Sequence, residues 1–132
     1  MDILLPVTLA SAAAAAILNI WLMLRVGAIR RAAEISIGDG GSEPLQRRMR
    51  AQSNFIESTP FVLILIAAIE IAGKGAPWLA YVAGIYFVCR ILHAFGMDGA
   101  SMQWGRMVGT IVTLLVLLGL AIFAALVAGR VL

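Results

Sequence analysis

The chain is short of nearly everything that soluble catalytic sites are built from. It has one cysteine, Cys89, among 132 residues, which excludes a disulfide framework and any cysteine-based zinc site. It has one histidine, His93, so a histidine-rich metal centre is excluded as well, and no metal site is expected. Lysine occurs once, at Lys74, and charged residues make up only 13% of the sequence. The formal net charge of +3 therefore does not describe a basic soluble surface, and nucleic acid is not an expected partner. No Ser–His–acid or Cys–His set can be assembled, so no protein nucleophile is expected.

What is present is apolar. Such residues make up 62% of the chain and the mean hydropathy is +0.99. Soluble domains sit near 45–50% apolar and about 25% charged. A monomer of this size has too little interior to hide that much apolar surface, and disorder is excluded for the same reason. The composition is that of an integral membrane protein.

A spanning helix needs roughly 20 mostly apolar residues. Ile3 to Leu24 and Met107 to Gly129 are uncharged runs of that length. Between them, Phe55 to Gly73 carries Glu57 and Glu70, and Pro77 to Phe95 carries Arg90 and His93. The pattern predicts an all-α, integral-membrane four-helix bundle. It forms one domain over residues 1–132, with helices at about 3–33, 44–73, 77–96 and 104–130. Asp2 stands where a cleavable leader would be basic, so a signal peptide is not expected.

Breaks fall at Ile37 to Pro44 (I-G-D-G-G-S-E-P), Gly73 to Pro77 and Phe95 to Gly99. Pro44 suits the first turn of the second helix. Ala12 to Ala16 give the first helix a small-residue surface, and Gly105 and Gly109 form a G-x-x-x-G at the head of the fourth.

Arginines set the orientation. The first-to-second and third-to-fourth connections hold Arg25, Arg30, Arg31, Arg47, Arg48, Arg50, Arg90 and Arg106 on one side, against Lys74 and Arg130 on the other. The positive-inside rule places the arginine-rich connections in the cytoplasm and both termini opposite. Short loops and small size suggest a bacterial inner membrane.

The polar residues form two stripes. At 100° per residue, Arg47, Arg50, Asn54 and Glu57 fall within roughly 80° on the second helix, and Tyr86, Arg90, His93 and Met97 within roughly 60° on the third. An acid or arginine deep in the bilayer costs about 2.5–3.5 kcal/mol, so the stripes should face one another, with Glu57 near Arg90 or Arg50. Pro60 should kink the second helix one turn beyond Glu57, by freeing the carbonyl of Ile56.

Bland readings stand beside these. Arg90 could snorkel to the headgroups, and a Glu57–arginine pair could be a structural tie. Arg25 and Arg48 are better read as anchors, Cys89 as a small packed hydrophobe, and Glu70 as a marker of the far interface. Arginines, amides and one carboxylate around a cleft suit a small multi-anionic ligand that also carries a cation. Glutathione has that charge pattern, and so do certain phosphates and lipid headgroups.

The run Arg47-x-x-Arg50-Ala51-Gln52-x-Asn54-x-x-Glu57-x-x-Pro60 resembles the signature of the MAPEG family, the membrane-associated proteins in eicosanoid and glutathione metabolism. Gln46 replaces the usual glutamate before Arg47, and His93 and Met97 stand where relatives often carry tyrosine. The resemblance implies a homotrimer with glutathione sites between subunits and a lipophilic second substrate taken from the membrane lipid. It implies glutathione transferase, peroxidase or isomerase activity. By match, Arg50, Gln52, Asn54 and Glu57 would hold glutathione as co-substrate, with Arg30 from the neighbouring subunit and Arg90 and His93 from the third helix. Arg106 would stabilise the thiolate. Two alternatives are a non-catalytic binding or scaffold protein of the same fold, and a small multidrug transporter. Against the latter, Ile3 to Leu24 contains no acid.

Overall fold

The computed structural model describes residues 3–132; Asp2, invoked above on the question of a leader, lies outside them. Four helices follow one another: α1 (Pro6–Ala33), α2 (Glu43–Ile71), α3 (Pro77–Gly96) and α4 (Gln103–Ala128), with a short 3-10 turn, Ala100–Met102, just before α4. No strand occurs among the described residues. All four helices are long and apolar enough to cross a membrane.

The ends follow local chemistry. Proline opens α1 and α3 and sits in the first turn of α2, positions where its missing N–H is harmless. This is why α1 begins at Pro6, three residues later than the apolar run itself. Ser42 caps α2, its side chain accepting from the Leu45 amide at 3.4 Å. At the other end of α2, Gly73 takes φ +71°, a left-handed turn that stops the helix short of the expected end. α2 stays helical through Pro60. At 29 residues it is about 43 Å long against a hydrocarbon core of about 30 Å. Its first turns, which carry Arg47 to Arg50, can therefore project beyond the apolar slab.

Packing relies on close backbone approach, as expected where lipid removes the hydrophobic drive between helices. α3 and α4 make the most extensive pairing. A Cβ built on Gly105 would lie 2.5 Å from the Leu92 carbonyl oxygen, and one on Gly109 would lie 2.4 Å from His93 Cβ. The G-x-x-x-G is therefore the seam between α3 and α4. One apolar cluster joins Val62, Ile66 and Ile69 to Leu79, Ala83, Tyr86 and Leu120; a second joins Ala15, Leu18 and Leu22 to Phe55 and Ala94. Ile17, Leu24, Phe61, Leu114 and Leu118 point outward, as a lipid-facing surface requires.

Glu70 does more than mark an interface. Its carboxylate accepts from the amides of Val7 (2.9 Å) and Thr8 (2.8 Å) and from the Thr8 hydroxyl (2.7 Å). It caps α1, whose own N-cap residue Leu5 has no side-chain acceptor.

Candidate functional site

The two polar stripes meet at one point only: of the α2 stripe, Asn54 alone bonds to α3, while Arg50 and Glu57 are exposed. Arg90 is buried at 2% exposure instead of reaching for headgroups. It donates to Asn54 Oδ1 on α2 at 2.7 Å and to Thr113 Oγ1 on α4 at 3.1 Å, and stands 3.5 Å from His93 Nδ1. Its Nε–H is buried without an acceptor. Glu57 does not pair with Arg90 or with Arg50 among the described residues; it is exposed on α2. The physical reason is register. Asn54 lies one turn nearer the start of α2, on the edge of the stripe that faces α3, and Glu57 lies on the outer edge. One turn deeper, Tyr86 bridges to Thr59 (2.8 Å) and Ser58 (3.3 Å), closing a hydroxyl network between α2 and α3.

Arg50, Glu57 and Arg106 form the outward part of the arrangement. All three are exposed, and their side chains have neither hydrogen-bond nor ion-pair partners among the described residues. Gln52 is half-buried on the next face. A polar cleft of about 440 Å³ opens between the starts of α2 and α4, lined by Arg47, Gly96, Gln103, Arg106, Met107, Thr110 and Ile111; Arg50, Gln52, Asn54 and Glu57 do not line it. That volume falls in the range of small-molecule sites. No acidic side chain lines the cleft. Arg47 is held from behind by Glu43, at 2.8 and 3.1 Å.

The remaining expected residues sit behind this surface or away from it. His93 is buried beside Arg90, which braces Asn54, and neither lines the cleft. Arg30 turns inward onto its own loop, donating to the Gly38 carbonyl at 2.7 Å and approaching Met49 Sδ at 3.6 Å. Arg25 and Arg48 are structural. Arg25 pairs with Asp98, stacks on Trp21 and Phe95, and donates to the Ala94 carbonyl; Arg48 donates to the Arg25 carbonyl at 2.8 Å and meets Asp98 at 3.5 Å. Cys89 is a buried free thiol in α3 and does not line the cleft. Two contributors were missed in the sequence, Thr113 and Asp98. Thr113 carries no signal inside an apolar helix, and Asp98 reads as a turn residue.

No group of three or more histidine, cysteine or acidic side chains able to hold a metal occurs among the described residues.

A match to the model of the MAPEG family runs over residues 8–126, nearly the whole chain and all four helices. The chain belongs to the MAPEG family. It is also similar to the inner membrane protein YecN of Escherichia coli strain K12 and to the same protein of Escherichia coli O6:H1, each 28% identical over 79 residues. Those matches take in 59% of this chain and 60% of the relatives, so the chain spans less than two thirds of the curated proteins it matches. In this MAPEG member the family motif lies on α2, with Asn54 turned inward and Arg50 and Glu57 turned outward.

Proposed function

We propose that this protein is a glutathione-dependent membrane enzyme, in its simplest form a glutathione S-transferase acting on lipophilic electrophiles. The observation that carries the reading is the set of unpartnered charges on α2 and α4: Arg50, Glu57 and Arg106 are exposed, with no intramolecular ion pair among the described residues, and Arg106 lines the polar cleft. A carboxylate left bare at the membrane boundary is unfavourable, and in the cleft Arg106 has no counter-ion of its own, Arg47 being paired with Glu43. A ligand with carboxylates, an ammonium and a thiol answers both. MAPEG proteins generally bind glutathione and form trimers, and we extend both properties to this chain. A neighbouring subunit would then cover the exposed edge of α2.

The chemistry needs little from the protein. Arg50 binds a glutathione carboxylate, Glu57 its ammonium, and Asn54, oriented by Arg90, its backbone. Gln52 adds a polar contact, and Arg30 reaches the site only if its hold on Gly38 is released. A free thiol has a pKa near 8.5, and a guanidinium beside it favours the anion. Arg106, at the mouth of the cleft, supplies that charge. The thiolate attacks an electrophilic carbon delivered from the bilayer: the S–C bond forms, the leaving group departs with its electron pair, and the thiol proton goes to solvent. The same thiolate would serve a peroxidase. The inner-membrane relatives and the four apolar helices support a bacterial inner-membrane location; the positive-inside rule puts the arginine-rich connections in the cytoplasm, where glutathione is abundant.

The test is conjugation of glutathione to a chloronitroaromatic acceptor by the purified protein. Wild type should turn over, Arg106→Ala should lose about 100-fold in kcat, as removal of one charge-stabilising donor typically does, and Glu57→Gln should raise the glutathione KM. Absence of turnover together with absence of a glutathione-induced thermal shift would remove the reading. A thermal shift without turnover would favour the binding or scaffold protein. For the transporter, α1 carries no acid from Pro6 to Ala33, and proton-coupled uptake in vesicles is its test.

A further inference from the structure

We propose that Asp98 is a positioning residue for Arg106, acting through the end of α3; this rests on the function proposed above. Asp98 lies two residues beyond the end of α3, in the turn that leads to α4. It is gripped from two sides, by Arg25 of α1 and Arg48 of α2. The grip is reinforced. Arg25 also donates to the Ala94 carbonyl in the last turn of α3, and its guanidinium lies over Trp21 and Phe95, which themselves meet edge to face at 5.4 Å. Arg48 donates to the Arg25 carbonyl, so the two arginines are tied to each other as well as to Asp98. Three helices are thus locked together at one carboxylate.

The lock bears directly on Arg106. Gly96, the last residue of α3, is so close to α4 that a Cβ there would lie 2.1 Å from the Arg106 amide nitrogen. Gly105 meets the Leu92 carbonyl in the same way. Where the end of α3 sits therefore decides where the Arg106 backbone sits. The cleft needs Arg106 to be placed well, because its long side chain is tied down by nothing else. Arg25 and Arg48 are only about 10% and 27% exposed at their side chains, so water screens this cluster less than a surface ion pair. With its only carboxylate removed, two guanidinium groups would face each other unneutralised, and the end of α3 would shift.

Asp98→Asn is the decisive variant, with Asp98→Glu as the conservative control. Two readouts are needed. The first is hydrogen exchange at the amides of residues 107 to 110, which are bonded to the first turn of α4. In Asp98→Asn they should exchange about tenfold faster or more, and Asp98→Glu should restore most of the protection. The second is the pH dependence of glutathione thiolate formation, followed by its ultraviolet absorbance, together with steady-state kinetics. Asp98→Asn should move the thiolate midpoint to higher pH and lower kcat by about tenfold to 100-fold, as misplacement by an ångström does, with the glutathione KM within about twofold of wild type. Should Asp98→Asn not fold, Arg48→Gln, which removes the weaker of the two partners, should shift both readouts in the same direction by less. Unchanged exchange and an unchanged pH profile would overturn the proposal. If wild type neither binds nor turns over glutathione, the proposed function fails, and the exchange arm still decides whether Asp98 holds Arg106 in place.

Discussion

At the level of single residues, the informative feature is a buried cation without a carboxylate. Arg90 has no carboxylate partner among the described residues; it is solvated by Asn54, Thr113 and the His93 ring, with its Nε–H left without an acceptor. Buried charge tolerates this only when most donors are matched, so each partner counts for more than a surface hydrogen bond. Thr113→Val keeps the shape of the side chain and removes the acceptor. It should destabilise the protein by about 1–3 kcal/mol, read by equilibrium unfolding in detergent. A loss below a few tenths would mean that the hydroxyl is dispensable. Seen this way, Arg90 acts on the site through Asn54, one step behind the surface that a ligand would touch.

Among the helices, glycine placement separates a seam from a free face. Gly105 and Gly109 let α4 lie against α3 at backbone distance, and Gly119, on the same helix, has nothing within 4 Å of where its Cβ would be. The two positions therefore predict opposite signs. Gly109→Ala drives a methyl into His93 Cβ at 2.4 Å and the Cys89 carbonyl at 2.8 Å, and should cost about 1–3 kcal/mol as α4 is pushed away. Gly119→Ala should be neutral or stabilising by up to about 1 kcal/mol, because helical alanine is intrinsically favoured. Thermal unfolding of the pair checks both signs at once. The Glu70 cap on α1 belongs to the same scale: a side chain on α2 completes a helix end that its own sequence leaves open.

For the whole molecule, the distribution of charge gives a direction to the bundle. The Asp98 cluster, the cleft and the Arg30 loop contacts all gather at the end where α1 and α3 finish and α2 and α4 begin. With Cys89 replaced by serine, single cysteines at Ser36 or Ser101 should react with a membrane-impermeant maleimide only in inverted inner-membrane vesicles. A cysteine at Lys74 should react only from the opposite side. All three positions are exposed, so access is set by the membrane alone. The reverse pattern would invert the bundle and take the arginine cleft out of the compartment where glutathione is plentiful.

The class of the fold and the position of the polar motif were legible in the residues themselves. Runs of apolar side chains long enough to span a bilayer leave a helix as the only way to satisfy the backbone, and three prolines and a left-handed Gly73 mark helix ends. Which polar side chains share a face of each helix was also legible, because 100° per residue fixes it; that only Asn54 of the α2 stripe meets α3 was not. What periodicity could not decide was register between helices. Whether Arg90 meets Glu57 or Asn54 depends on a shift of less than one turn, set by where glycines let α3 and α4 touch and where Tyr86 finds Thr59. Nor could it foresee that Asp98, an ordinary turn residue in sequence, would gather arginines from two other helices. Such contacts come from side chains far apart in the chain, and only the packed bundle brings their charges within reach of one another.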